Sequence, residues 1–177
     1  MLILMGPSAS GKTEVAKILD AKYHLKKVIT HTTRPMRCAE TQDIDYHFVD
    51  RDAFLSMKSQ EEFVETTEYN GNFYGTSKKE IADDKCVILD PLGARSFYRL
   101  NDPHIFIVSL YCSEEIRIER MKQRRDEEKK IESRIRLDRS AFSEEKTNFA
   151  SLSLSSETDN PEVLAEKIFS LYRERIR

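Results

Sequence analysis

Gly6-Pro7-Ser8-Ala9-Ser10-Gly11-Lys12-Thr13 has the spacing G-x-x-x-x-G-K-T, which suits a loop that holds nucleotide phosphates. Gly6 and Gly11 let the backbone turn and bring the amides of Ser8, Ala9 and Ser10 within hydrogen-bonding reach of phosphate oxygens. Lys12 adds a mobile positive charge near the β and γ phosphates, and Thr13 offers a hydroxyl to Mg2+. The helix that begins here points its positive dipole end at the same anion. A second anion site reads further on. Arg34 and Arg37 stand three apart, and paired guanidinium forks suit a phosphate monoester with its several acceptor oxygens. Tyr46 and Tyr74 can add neutral hydroxyl donors. Asp90 ends the apolar run Cys86-Val87-Ile88-Leu89, the usual place for an acid that positions Mg2+ through its water shell. It is the metal-side candidate.

These residues need a parallel sheet to bring them together. Strand-like runs recur at Leu2 to Met5, Lys27 to Thr30, Cys86 to Asp90 and His104 to Tyr111, with Ser151 to Ser155 as a final short strand. Helical patterns fall at Lys12 to Lys22, Leu92 to Leu100, Glu114 to Arg125, Glu132 to Lys146 and Pro161 to Arg175, the last opened by Asp159-Asn160. That alternation predicts an α/β core with crossover helices. Residues 31–78 are too long for a plain loop and too patterned for disorder, so they read as an insert. Within it Phe63 to Tyr69, followed by Asn70-Gly71, predicts a hairpin in an antiparallel unit. The expected division is a core of 1–30, 79–124 and 137–177, the insert, and a lid at 125–136.

Composition narrows the classes. The 177 residues are 39% hydrophobic, enough for one sizeable core, and the net charge of −2 argues against general nucleic-acid or membrane-surface binding. Cys38, Cys86 and Cys112 are widely spaced and odd in number, which fits structural thiols in a reducing compartment. His24, His31, His47 and His104 show no paired metal-ligand spacing. No run approaches the roughly 20 apolar residues of a membrane span, so a soluble, cytoplasmic protein is expected. The most basic stretch holds Arg117, Arg120, Arg124, Arg125, Arg134, Arg136 and Arg139, and most of these read as a solvated helix face with i,i+4 pairs.

The segments T-T-R-P-M-R (32–37), D-Y-H-F-V (45–49), F-V-E (63–65) and G-N-F-Y-G-T-S (71–77), in this order after a P-loop, resemble the guanylate kinase family. The similarity runs from the first strand to the helix ending near Lys146 and fades beyond it. It implies a P-loop kinase with a parallel core sheet flanked by helices, an inserted antiparallel monophosphate-binding domain and a short lid. It also implies ATP and GMP or dGMP as substrates, with Mg2+ as cofactor. By the same resemblance Arg34, Arg37, Tyr46 and Tyr74 hold the acceptor phosphate, while Glu65, Thr30 and Thr76 read the guanine edge. Guanine suits a carboxylate, because its ring N–H and amino group are adjacent donors. Arg120 and Arg124 resemble the pair flanking the lid, and Arg134, with Arg136 second, the arginine on the following helix. The family tends to show L-D-x-D where this chain has Leu89-Asp90-Pro91-Leu92, so Leu92 stands where a second acid is expected unless a gap shifts the comparison. Two other readings stay open: a related kinase acting on another nucleotide or a phosphorylated sugar, and a non-catalytic guanylate-kinase-like module that binds phosphopeptides.

Overall fold

The computed structural model describes residues 1–38, 40–69 and 71–176. Along the chain run β1 (Leu2–Met5), α1 (Lys12–Tyr23), β2 (Lys26–Lys27), β3 (His31–Thr32), β4 (His47–Phe48), α2 (Arg51–Ser59), β5 (Phe63–Tyr69) and β6 (Asn72–Ser77). There follow β7 (Lys85–Ile88), α3 (Pro91–Tyr98), β8 (Phe106–Tyr111), α4 (Glu114–Gln123), α5 (Glu128–Ala141), α6 (Glu144–Thr147), β9 (Leu152–Ser155) and α7 (Pro161–Arg175).

Five strands form a parallel sheet in the order β2-β7-β1-β8-β9, with β1 at its centre. Successive side chains of a strand point to opposite faces, and helices cover both faces here, so β1 is apolar at every position. Leu2 and Leu4 pack toward Val15 and Leu19 of α1 and Leu164, Ile168 and Tyr172 of α7. Met1, Ile3 and Met5 pack on the other side with Ala94 and Phe97 of α3 and with Phe149. This alternation puts α1 behind the loop that leaves β1 and α3 behind the end of β7.

The insert folds into a second sheet of order β4-β3-β6-β5. Its β5–β6 hairpin forms as expected, with Gly71 at φ +73; Asn70, the other expected turn residue, lies outside the described residues. The sheet is mixed rather than wholly antiparallel, because β4 runs parallel to β3. Residues 33–46 supply the long return that a parallel neighbour needs, and the amides of His47 and Val49 then bond to the carbonyls of Thr30 and Thr32. Helix α2 was not anticipated. Asp50 caps it by accepting from the amide of Ala53, and its one buried side chain, Phe54, stacks on Phe63 and Phe73 at ring distances of 4.6 and 5.4 Å. Gly75 permits this packing, since a Cβ there would meet both Phe63 and Phe54 at 3.0–3.1 Å.

Three differences from the expected boundaries bear on the site. β2 stops at Lys27, because the chain peels away after the Val28 amide bonds to Cys86 and crosses to the second sheet. β7 ends at Ile88, leaving Asp90 to cap α3. The helix expected over 132–146 starts earlier, at Glu128, and breaks at Phe142-Ser143 into α5 and α6.

Candidate active site

At the end of β1 the chain must pass close beneath β8. A Cβ at Gly6 would lie 2.1 Å from the Leu110 carbonyl oxygen, so only glycine fits. Gly11 is needed for its left-handed backbone, φ +88, from which α1 starts. The Lys12 ammonium folds back over the loop and donates to the carbonyls of Gly6 and Pro7 at 2.6 and 2.7 Å. Burial lowers its pKa from the ordinary lysine value to about 8, opposed chiefly by the charge of Asp138. Thr13 stands in the first turn of α1 and borders a cavity of about 390 Å3 that also touches Thr30, Tyr46 and Ile88.

Those last three residues also border a second cavity, of about 240 Å3, lined by Glu65, Thr67, Tyr74, Gly75 and Asp90. β5 and β6 place Glu65 opposite Thr76, whose fully buried hydroxyl donates to Glu65 Oε1 at 2.6 Å. Burial raises the Glu65 pKa above the usual carboxylate range; the Thr76 bond opposes this and the nearby charge of Asp90 adds to it. Asp90 accepts from the Gly93 amide at 2.8 Å and caps α3. It borders the cavity that holds Glu65, while Thr13, the other expected metal-side residue, borders the adjoining one. Leu92, where a second acid was expected, is 77% exposed and lines a different cleft with Leu137.

Arg34 lies at the rim of the insert. Its guanidinium donates to Glu40 Oε1 at 2.7 Å and stacks 5.4 Å from the Tyr46 ring. The other Glu40 oxygen accepts from the Arg37 amide at 2.9 Å, and these bonds hold the Glu40 carboxyl below its usual range. The Arg37 side chain is exposed and makes no hydrogen bond or ion pair with a described residue. The rings of Tyr46 and Tyr74 meet edge to face at 6.2 Å, so Arg34 and both tyrosines come together on one side of the insert.

The expected lid arginines separate into four situations. Arg120 reaches the Ala9 carbonyl at 3.2 Å and the Ser156 carbonyl at 2.5 Å, joining the phosphate-binding loop to the segment after β9. The Arg124 side chain is exposed, makes no hydrogen bond or ion pair with a described residue, and lies near enough to Lys12 to help lower its pKa. Arg134 pairs with Asp126 at 2.7 Å and is half exposed. Arg136 lines a cleft between α4 and α5 with Ile118, Lys122 and Arg139. Sequence reasoning missed Asp138. Its carboxylate accepts from the Ser8 amide at 2.9 Å and from the buried Arg117 at 2.8 Å, and nothing in a run of alternating charges marks it beforehand.

A parallel sheet whose central strand feeds a phosphate-binding loop, facing an inserted sheet with its own arginines and carboxylates, defines a P-loop kinase. Comparison with known proteins narrows the class. The family model described as guanylate kinase matches residues 1–160. Guanylate kinase of Anaplasma phagocytophilum is 36% identical over 146 residues, 77% of this chain and 70% of that relative. The enzyme of Nitrosomonas europaea is 36% identical over 151 residues, 81% of this chain and 75% of that relative. Among solved structures, that of guanylate kinase from Anaplasma phagocytophilum superposes with a TM-score of 0.69 at 24% identity, covering 100% of this chain and 86% of that one. The YorR protein of Bacillus subtilis, in complex with phosphorylated GDP, superposes at 0.50 with 17% identity, covering 98% of this chain and 96% of that one. The chain belongs to the guanylate kinase family. Among the described residues, no helix is long and apolar enough to cross a membrane.

Proposed function

We propose that this protein transfers the γ-phosphoryl group of ATP to GMP or dGMP, giving ADP and GDP or dGDP. The observation that carries the reading is a carboxylate of the insert set beside one at the end of β7. Glu65 is fixed by Thr76 and stands near Asp90 in a cavity that shares residues with the one beside Thr13. A carboxylate there accepts from the adjacent N–H groups of guanine, whereas adenine offers no such pair. Thr30 and Asp90 line the same cavity as Glu65, so a base bound there lies beside both.

The acceptor phosphate is held by Arg34, Arg37, Tyr46 and Tyr74, and the donor phosphates by Lys12 and the amides of the loop from Gly6 to Thr13 other than that of Ser8, which Asp138 holds. A GMP phosphate oxygen attacks the γ-phosphorus while the bond to the β-bridging oxygen breaks, and the leaving ADP takes up that electron pair. No general base is needed, since the attacking oxygen is already anionic. Catalysis then rests on alignment and on positive charge where the transition state spreads negative charge. Lys12, Arg124 and Arg134 supply it, while Arg120 braces the donor loop. Mg2+ fits this donor set through the Thr13 hydroxyl, with most of its ligands drawn from phosphate and water as this cation prefers. When bound it neutralises charge on the donor phosphates. In this account residues 31–78 close over the acceptor and 125–136 over the donor, keeping water from the phosphoryl group.

A coupled ADP-release assay over GMP, dGMP, AMP, CMP and UMP tests the reading. Turnover of the two guanine nucleotides well above the other three is expected, and equal turnover of AMP and GMP would refute it.

A further inference from the structure

Helix α5 carries Arg134 and Asp138 one turn apart on the same helical row, the first half exposed and the second buried. Ile131 and Ile135 of α5 pack on Met121 of α4, with Ala9 of the phosphate-binding loop against the same cluster. Asp138 continues that buried row and ends on the loop itself. One of its oxygens accepts from the Ser8 amide at 2.9 Å and from the Arg117 guanidinium at 2.8 Å, and the other from the Ser8 hydroxyl at 3.3 Å. Arg117 and Asp138 are 6% and 9% exposed, and Arg117 Nε has no partner among the described residues.

Resting on the kinase reading above, we propose that Asp138 is a positioning residue: it straps the arginine-bearing helix to the donor loop, so that Arg134 reaches the phosphates by a local change. The two ion pairs on this helix differ in kind. Separating the buried Asp138–Arg117 pair would leave an uncompensated charge out of water, so this end of α5 stays with the loop. The Arg134–Asp126 pair is exposed, contributes little and exchanges readily, so a donor phosphate can take Arg134 from Asp126. The strap holds the pivot and the exposed pair is what moves. The carboxylate occupies a loop amide, but its charge is matched by Arg117, so it braces the loop without acting as a rival anion.

The test uses the whole chain and removes the strap without leaving a buried charge. Arg117→Met/Asp138→Leu replaces the ion pair by apolar side chains of similar size, an exchange that is often neutral or stabilising. Arg117→Met/Asp138→Asn keeps an acceptor for the Ser8 amide. We expect both to melt near wild type, but in the leucine variant the Ser8 amide exchanges with solvent about tenfold faster or more. Its kcat falls by about tenfold to a hundredfold, the scale of a small misplacement of a catalytic group, with KM for ATP and GMP within about threefold. The asparagine variant recovers most of the lost kcat. Wild-type kcat in the leucine variant would overturn the proposal, as would a lowered KM for ATP with unchanged kcat, which would make the carboxylate a competitor of phosphate. If the leucine variant does not fold, Asn against Ala at position 138 in the Arg117→Met background makes the same comparison. Wild-type turnover of GMP is the control: its absence would fail the kinase reading, while Ser8 exchange would still report on the strap.

Discussion

Replacing Glu65 by Gln isolates one carboxylate oxygen from an otherwise intact pocket. The Thr76 hydroxyl donates to Glu65 Oε1 at 2.6 Å, and the glutamine carbonyl can keep that bond, so the β5–β6 hairpin should be preserved. What is lost is the second acceptor, now an NH2 group facing the donors of guanine. A hydrogen bond to a charged group contributes about 1.5–3 kcal/mol, so kcat/KM for GMP should fall by about 10- to 150-fold. AMP, whose ring nitrogen accepts, should lose nothing. A second readout follows from titration. Burial and the charge of Asp90 raise the Glu65 pKa in the free protein, so the group protonates on acidification sooner than an ordinary carboxylate. Once protonated it cannot accept from both guanine donors, and guanine selectivity is lost as pH falls through the raised value. The GMP phosphate also titrates near about pH 6, but it does so identically with both proteins, so the ratio of their profiles reports Glu65 alone. Steady-state kcat/KM for GMP and AMP between pH 5 and 8, roughly the window around that phosphate, supplies both readouts. A glutamine variant with the wild-type GMP-to-AMP ratio, or one that keeps the extra acid limb, would refute the reasoning.

Lys12→Met should remove most phosphoryl transfer while leaving the Kd for GMP within about twofold, since its charge serves the donor phosphates; calorimetry beside the ADP assay checks it. Arg124→Ala should lower kcat by up to about 10³-fold with little change in GMP affinity, because a free arginine acts mainly on charge that develops in the transition state. Arg34→Ala and Arg37→Ala should instead weaken equilibrium GMP binding, and near-wild-type turnover in Arg124→Ala would return that residue to a solvated helix end. Gly6→Ala should destabilise the fold by more than about 2 kcal/mol in urea melts, because a Cβ 2.1 Å from the Leu110 carbonyl forces β1 and β8 apart.

The parts legible in the sequence are those where residue type and backbone demand coincide. Gly6 and Gly11 are required by a close approach and a positive φ, and Asn160 and Pro161 open α7 where capping chemistry places them. Helix α2 was hidden because it buries a single side chain, Phe54, and so has no apolar stripe to read. The capping role of Asp90 was not legible for another reason: a strand-end aspartate reads the same whether or not a helix starts beside it, and only the short β7 shows that it caps α3. Asp138 was invisible because its partners, Ser8 and Arg117, are brought to it by tertiary packing of α5 on the loop.

Glu40 gives the proposed acceptor site a resident counter-ion. In the free protein its carboxylate already occupies the Arg34 guanidinium and, through its other oxygen, the backbone at Arg37. On the proposed role of Arg34, an arriving phosphate exchanges one anion for another, and the arginine is not a bare cation open to any passing polyanion. Small free anions must compete with a carboxylate tethered beside the fork, while GMP brings a base that Glu65 can recognise. Specificity is thus set partly by what the empty site already holds.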